Sequence, residues 1–392
     1  MKFKTIAVLG STGSIGSSTL EIIKKTKYLR VVLIIANSNY KKILSQIKIF
    51  KPNVVVINNW YVFLKIKKIN KYKKITILNN LNNLQKYLKK VDITVSAIPG
   101  IAGLEPTLTF IKISKKILLA NKESIVCGWS LIKKNATKYK TKLVPIDSEH
   151  FSISELTKNF TNDEIEKIYI TASGGPFLKL DKKKFKNIKP KDATKHPKWK
   201  MGKKISVDSA TLMNKVLEVI EAIKLFPFDA SKYEVIIHPQ SLIHGIIKLK
   251  NGTTYFLYHS PDMKIPISNA LFDGKFNYLK HFKDRDKNYL ANQNLEFFPV
   301  DENKFTTLKL IHKIKIENSS PIVINAANEI FVDEFLKNNI DFNDISAYLN
   351  LVLKDKNYIK TSKMPSNTIK NINKIDTIAR ELAYEIIKKK KI

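Results

Sequence analysis

An unbroken apolar run, Ile6-Ala7-Val8-Leu9, leads directly into Gly10-Ser11-Thr12-Gly13-Ser14-Ile15-Gly16, and that loop opens into a helical run, Ser17 to Lys24. Strand, glycine loop and helix in this order begin a doubly wound sheet that binds a dinucleotide. The glycines let the backbone approach a pyrophosphate. The helix N-terminus adds unpaired N–H groups and the positive end of its dipole. The same glycines could mark an ordinary tight turn, but both flanks have the composition that a dinucleotide site needs.

The second strand, Arg30 to Ala36, ends in Asn37-Ser38-Asn39. An NAD site places a carboxylate here, about 20 residues after the loop, to hold the ribose 2′-hydroxyl. None is present, and Ser38, Asn39, Lys41 and Lys42 can accommodate a 2′-phosphate, so NADP is favoured over NAD. Apolar runs at 53–57, 74–78, 93–97, 116–120 and 142–146 alternate with helical stretches and continue a parallel sheet. Turns at Pro99-Gly100 and at Asn121-Lys122-Glu123 fall at strand C-terminal ends, where ligand binds in such sheets. Asn121 also suits a helix N-cap.

The last of these runs delivers Asp147-Ser148-Glu149-His150. In extended backbone Asp147 and Glu149 share a face and make half of a site for a hard divalent cation. Alone, such a pair is more often a solvated turn. A third carboxylate, Glu218, follows in a segment rich in phosphate-binding residue types. Ser209 and Asp208 can cap a helix with an apolar stripe of Leu212, Val216, Val219, Ile220 and Ile223, which puts Asn214, Lys215 and Glu218 on its polar side. Ser173, Ser209, Asn214 and Lys215 are donors suited to a phosphate, and an oxygen-only ligand set points to Mg²⁺ or Mn²⁺. Between them, about 173–203 is polar, lysine-rich and weakly periodic, with Gly174-Gly175 and Gly202 as hinges, which reads as a lid. Trp199 has no evident core to join there and would close over ligand. His238 and His244 lack metal-ligand spacing and read as structural. Asn251-Gly252 between two strands marks a hairpin. Residues 276–302 read as linker, and 303–392 as helical.

The net charge of +35 comes almost wholly from scattered lysines, with Arg only at 30, 285 and 380. A nucleic-acid surface concentrates arginine in a stripe or interleaves it with aromatics, so no nucleic-acid partner is expected. The single cysteine, Cys127, excludes an internal disulfide framework or thiolate zinc site. No run reaches the ~20 apolar residues that cross a bilayer, so no membrane partner and a cytoplasmic location are expected.

Several segments together resemble one family along essentially the whole chain. They are Gly10 to Gly16, Asn121-Lys122-Glu123-Ser124, Pro145-Ile146-Asp147-Ser148-Glu149-His150, Ala172 to Phe177 and His196-Pro197. They continue with Met201-Gly202 through Asn214-Lys215, His238-Pro239-Gln240-Ser241, Ser260-Pro261-Asp262-Met263 and Asn325 to Glu329. The family is 1-deoxy-D-xylulose 5-phosphate reductoisomerase. The resemblance implies a V-shaped subunit, usually in a homodimer: a Rossmann-type NADPH domain (1–147), an α+β catalytic domain with a flexible lid (148–275), and a C-terminal helical bundle (303–392). It implies NADPH- and metal-dependent conversion of 1-deoxy-D-xylulose 5-phosphate, a phosphorylated sugar, to 2-C-methyl-D-erythritol 4-phosphate, an early step of the non-mevalonate isoprenoid route.

Carried over by motif, Asp147, Glu149 and Glu218 hold the metal, which would act as Lewis acid and template. Together with Lys122 and His196 they make the catalytic set. Lys122 and Ser148 contact substrate hydroxyls, Glu149 and Glu218 also face substrate, and Ser173, Ser209, Asn214, Lys215 and His196 take its phosphate. Thr12, Gly13, Ser14, Ile15, the turn at Asn37, Ser38 and Asn39, and Asn121, Glu123 and Gly202 contact NADPH. The chain departs from the family at Asn37-Ser38, where Gly and a basic residue are frequent, and at Pro99. A different NAD(P)-dependent dehydrogenase of a phosphorylated small molecule would explain the glycine loop but not the three carboxylates or the lid.

Overall fold

Parallel strands covered by helices on both faces must be apolar on both faces, and the first half of the chain is rich in such runs. A computed structural model describes residues 3–26, 28–69, 74–195, 199, 201–282 and 294–391. The chain forms two compact units: residues 1–124, 131–151 and 262–288, and residues 125–130, 152–261 and 289–392.

The first unit contains β1 (Lys4–Leu9), α1 (Ser14–Lys24), β2 (Leu29–Ala36), α2 (Tyr40–Phe50), β3 (Val54–Ile57), α3 (Trp60–Ile69), β4 (Thr76–Leu78), β5 (Val91–Ser96), α4 (Leu104–Ile111), β6 (Ser114–Leu119), most of α5 (Lys122–Tyr139) and β7 (Lys142–Pro145). All seven strands are parallel, in the order β4-β3-β2-β1-β5-β6-β7. The order reverses at β1, so a ligand-binding crevice opens at the C-terminal ends of β1 and β5. The core is made where the apolar runs predict it, from residues such as Ile6, Val8, Ile34, Val55 and Ile93.

Helix α6 (Ser148–Leu156) leads into the second unit, which continues with β8 (Ile165–Ala172), α7 (Pro190–Ala193), α8 (Lys203–Thr211), α9 (Met213–Leu225), β9 (Tyr233–Ile237), β10 (Ile243–Leu249) and β11 (Thr254–Tyr258). Helices α10 (Lys264–Phe272) and α11 (Tyr278–His281) return to the first unit, where buried Lys116 of β6 donates to the Ala270 carbonyl (2.8 Å) and Asp273 (2.9 Å). The second unit resumes with β12 (Phe298–Pro299), α12 (Ser320–Leu336), α13 (Phe342–Lys354), α14 (Lys356–Ser362) and α15 (Ile369–Lys391). Its sheet runs β11-β10-β8-β9-β12, with α9 packed on it through Val219 and Ala222. The hairpin β10–β11 turns at Asn251-Gly252 as predicted, with Gly252 at φ 90°.

The weakly periodic stretch after β8 is less irregular than its composition suggests. A 3₁₀ turn (Lys182–Asn187) carries Phe185, whose ring meets Phe177, Phe305 and Phe342 at 5.7–6.2 Å between centroids. One aromatic residue among lysines gives no period, yet it supplies the anchor. The helix expected from Asp208 also differs: Leu212 takes a left-handed backbone (φ 61°) and divides it into α8 and α9. Burial of Leu212 holds this strained residue in place.

The glycine loop is built by close approach. A Cβ on Gly16 would lie 2.3 Å from the Gly10 carbonyl oxygen, and one on Gly10, at φ 80°, would lie 2.4 Å from that of Ala97. Gly16→Ala therefore forces backbone apart at a cost of about 1–3 kcal/mol, and the expected result is a lower melting temperature together with weakened dinucleotide binding in a fluorescence titration. Beneath the loop, Thr5 donates its N–H and hydroxyl to Asp92, each at 2.8 Å, and Lys115 lies 2.7 Å from the same carboxylate. Partial burial opposes the charge, but the hydrogen bonds from Lys115 and Thr5 outweigh it and hold the carboxyl at about 2. The folded-state value is depressed, so this contribution is complete above the ordinary aspartate range and is lost as pH falls toward 2. Asp92→Asn should lower the melting temperature at neutral pH and leave that of the native chain and the variant converging in strong acid.

Candidate active site

In the first unit the crevice edge carries the residues expected to meet a dinucleotide. Thr12 lies in the loop, Gly13 occupies the N-cap position of α1 without a side-chain cap, and Ser14 and Ile15 form the first turn. The opening N–H groups of that helix thus face the crevice end of β1. The loop is fastened from outside. Ser11 donates its hydroxyl to Gln46 Oε1 and receives Gln46 Nε2 on its carbonyl, both at 2.8 Å. Gln46 lies 35 residues on and forms no local motif, so nothing in the sequence marked it. Asn37 and Ser38 form the turn after β2, and Asn39 caps α2 by accepting the Lys42 N–H (3.1 Å). The Lys42 ammonium reaches back to the Thr12 carbonyl (3.2 Å), which puts a cation beside the loop.

Asn121 caps α5 as expected, accepting the Ser124 N–H. Its amide also donates to the carbonyls of Ile98 and Gly100, the latter at 2.9 Å. This side chain therefore ties the turns after β5 and β6 together, next to Lys122 and Glu123 in the first turn of α5.

The acidic stretch departs from its extended reading. Helix α6 begins at Ser148, so Glu149 stands in a first helical turn and does not share a strand face with Asp147. The reason is local: Asp147 Oδ1 accepts the Glu149 N–H (3.2 Å), which starts the turn. Asp147 also meets the ring of fully buried His150 (3.2 Å) and, at 3.6 Å, the buried Lys122 ammonium. Ser148 donates to Glu149 Oε2 (2.6 Å). A carboxylate held between a lysine and a histidine is fixed in orientation. The sequence reading named His150 within the motif but gave it no role.

In the second unit, Ser173 follows β8 and its hydroxyl accepts the Gly175 N–H (3.2 Å). Gly174 and Gly175 are both left-handed, and a Cβ on Gly175 would lie 2.7 Å from the Ser209 carbonyl oxygen. The Ser173 loop is thereby pressed onto the end of α8, which carries Ser209. The Leu212 bend then presents Asn214, Lys215 and Glu218 on α9. Glu218 is 1 % exposed, and it accepts from Asn214 on one oxygen and from Lys215 (2.6 Å) on the other. Gly202 is the N-cap of α8, and His196 lies outside the described residues. Trp199 does have a partner: its ring meets His244 edge-on at 5.9 Å, and His244 stacks on His259 at 4.1 Å. His238 is buried, stacked on Phe297 and bonded through Nδ1 to the Glu296 carbonyl (2.9 Å). Burial pushes its imidazole below the usual histidine range, against the opposing effect of Glu296.

Three family models match the chain: 1-deoxy-D-xylulose 5-phosphate reductoisomerase over residues 6–128, the C-terminal domain of that enzyme over 143–226, and a DXP reductoisomerase C-terminal domain over 259–382. The 1-deoxy-D-xylulose 5-phosphate reductoisomerase of Pelagibacter ubique is 45% identical over 98% of both chains, and that of a Wolbachia of Brugia malayi is 41% identical over 99% of this chain and 98% of its own. A crystal structure of DOX-P reductoisomerase in complex with NADPH, fosmidomycin and magnesium superposes with a TM-score of 0.88 at 34% identity, covering 98% of each chain. The Zymomonas mobilis enzyme in complex with NADPH gives the same score at 33% identity, with 98% of this chain and 99% of its own covered. Glycine cradle, buried acidic residues and matches spanning both units agree, and the chain belongs to the 1-deoxy-D-xylulose 5-phosphate reductoisomerase family.

Proposed function

We infer that this chain carries out the NADPH- and divalent-metal-dependent rearrangement and reduction of 1-deoxy-D-xylulose 5-phosphate to 2-C-methyl-D-erythritol 4-phosphate. The observation that carries the reading is Glu218, a carboxylate 1 % exposed whose two oxygens take donors from Asn214 and Lys215, one helical turn away. A buried charge so supported is costly unless it serves a ligand or a specific pairing, and its two donors are themselves phosphate-binding types.

Asp147, Glu149 and Glu218 offer an all-oxygen donor set of the kind that suits Mg²⁺ or Mn²⁺. We assign the cation to them. Gly10 and Gly16, where a Cβ would strike backbone, let α1 start close against β1 so that its first N–H groups lie at the crevice, an arrangement that fits the pyrophosphate of NADPH. When bound, the cation supplies Lewis-acid polarisation and NADPH supplies the hydride.

The chain's own residues do the rest. Lys122, buried beside Asp147, offers a fixed ammonium to a substrate oxygen as charge develops there. Ser148, already turned toward Glu149, orients a substrate hydroxyl. Ser173, Ser209, Asn214 and Lys215 take the phosphate; an ammonium has three N–H groups, so its bond to Glu218 does not exhaust Lys215. His196 joins the phosphate site from the segment about 173–203, which acts as a lid, and Phe185 anchors the base of that lid. Phosphate binding remote from the reacting carbons can drive closure and exclude water. Thr12, Gly13, Ser14, Ile15, Asn37, Ser38, Asn39, Asn121, Glu123 and Gly202 contact NADPH, and Lys42 takes over the 2′-phosphate from the basic residue that Ser38 replaces.

The three-region division drawn from the sequence assigns these tasks in order: cofactor to 1–147, chemistry to 148–275, and support to 303–392 beyond the linker at 276–302. A homodimer is proposed on the edge strand β11, whose Tyr255 and Phe256 are exposed. Among the described residues no helix is long and apolar enough to cross a membrane. The cytoplasm, where NADPH is kept reduced, is the proposed compartment.

Purified chain should oxidise NADPH when given 1-deoxy-D-xylulose 5-phosphate with Mg²⁺ or Mn²⁺, stop when EDTA is added, and resume when metal is restored. Substrate-dependent oxidation that EDTA leaves untouched would refute the metal assignment. Glu218→Gln, which keeps the shape and removes the charge, should weaken metal activation by about 100-fold without altering NADPH affinity. Lys42→Ala should lower kcat/KM for NADPH by about tenfold, the loss of one charge-assisted phosphate contact, and leave the slower NADH reaction unchanged. An equal loss with both cofactors would show that Lys42 only braces the loop.

A further inference from the structure

The end of α8 is held by the C-terminal helices through a buried polar contact that no part of the mechanism uses. Asp208, immediately before Ser209, is 2 % exposed, and each of its oxygens has a donor. Lys204, at 3.0 Å, belongs to the same helix and cannot fix that helix against anything else. Asn328 of α12 is fully buried and donates its amide to Asp208 Oδ1 at 2.8 Å, across 120 residues of sequence. The opposite amide orientation would set a carbonyl oxygen against a carboxylate, so the donor assignment is fixed by charge. One turn on, Thr307 donates its hydroxyl to the Thr211 carbonyl, again from the C-terminal segment. These two bonds grip the last turn of α8 where the chain enters the left-handed Leu212 bend.

We propose that Asn328, with Thr307 as its second support, is a positioning residue for substrate binding: it fixes Asp208 and thereby the orientation of Ser209, Asn214 and Lys215. The proposal rests on the assignment of those three side chains to the substrate phosphate. Its physical basis is the bend itself. A left-handed non-glycine residue persists only where its surroundings over-determine it, and apolar packing of Leu212 fixes depth better than direction. A directional bond to the preceding residue sets how the α9 side chains meet the oxygens of a phosphate. Among the described residues the Oδ1 of Asn328 is buried without a hydrogen-bond partner. A side chain kept at that expense is retained for what its other end does.

The test compares Asn328→Ala, Thr307→Val, Asp208→Ala and Asp208→Asn by steady-state kinetics, inhibition by inorganic phosphate, NADPH titration and thermal melting. Asn328→Ala is expected to raise KM for the phosphorylated substrate and the inhibition constant of phosphate together, by about tenfold, with a smaller change in kcat and unchanged NADPH affinity. Asp208→Ala should match it. Thr307→Val, which leaves no cavity, should shift both constants the same way by a smaller factor and decides the matter should Asn328→Ala not fold. Asp208→Asn keeps an acceptor for Asn328 and should bind substrate nearly as the native chain does. Variants that melt earlier but keep the native KM and phosphate inhibition would overturn the proposal and leave Asn328 as a support of the fold alone. Lys215→Met separates the two ideas: if it too leaves KM and phosphate inhibition unchanged, the phosphate assignment itself falls.

Discussion

The close approach of Gly16 to the Gly10 carbonyl governs the first unit. It lets α1 begin within one turn of the end of β1, at the point where the strand order reverses. Any side chain at either glycine would push helix from strand and close the crevice with protein atoms. The sheet beneath can be this regular because β1, β2 and β3 are largely apolar on both faces, while β5 satisfies the polar residues of one face through the buried pairs Thr94–Ser114 and Ser96–Thr107. The loop above it turns on the Gly13 N–H donated to the Gly10 carbonyl (3.0 Å), and Gln46 fastens it from α2 with two hydrogen bonds to Ser11.

A different economy operates in the second unit. The residues proposed to bind substrate sit on short elements joined at tight points: Gly174 and Gly175 after β8, where glycine takes positive φ without strain, and Leu212 between α8 and α9, which is strained. Two of these points meet something distant in sequence: Gly175 lies against the Ser209 backbone, and the α8 end before Leu212 is held by Asn328 and Thr307. The strain at Leu212 is held by its surroundings, and this is the basis of the part proposed for the C-terminal helices in binding, although none of their side chains is assigned to substrate.

The acidic stretch shows how far a motif carries. The residue types and their order already specified two carboxylates, a serine and a histidine, and pointed to oxygen-ligand chemistry. Backbone state was another matter. Asp147 can end a strand or start a helix, and the hydrogen bond it accepts from Glu149 selects the helix. Lys122 and Asp147 come together because β6 and β7 are adjacent in the sheet, so their pairing follows from topology.

By itself the sequence determined the parallel sheet, the glycine loop and its dinucleotide, the absence of a carboxylate after β2, the hairpin at Asn251-Gly252 and the family. These depend on local sterics and on the period of apolar residues, which a linear chain displays. Tertiary structure alone decided that Leu212 would break a helix, that Trp199 would find His244, that Lys42 would lean on Thr12, and that Gln46 would brace a loop 35 residues away and Asn328 a helix end 120 residues away. A single polar residue at such a distance leaves no period and no spacing to read. Its partner is fixed only when packing brings two buried groups together and the cost of leaving either unpaired selects the bond.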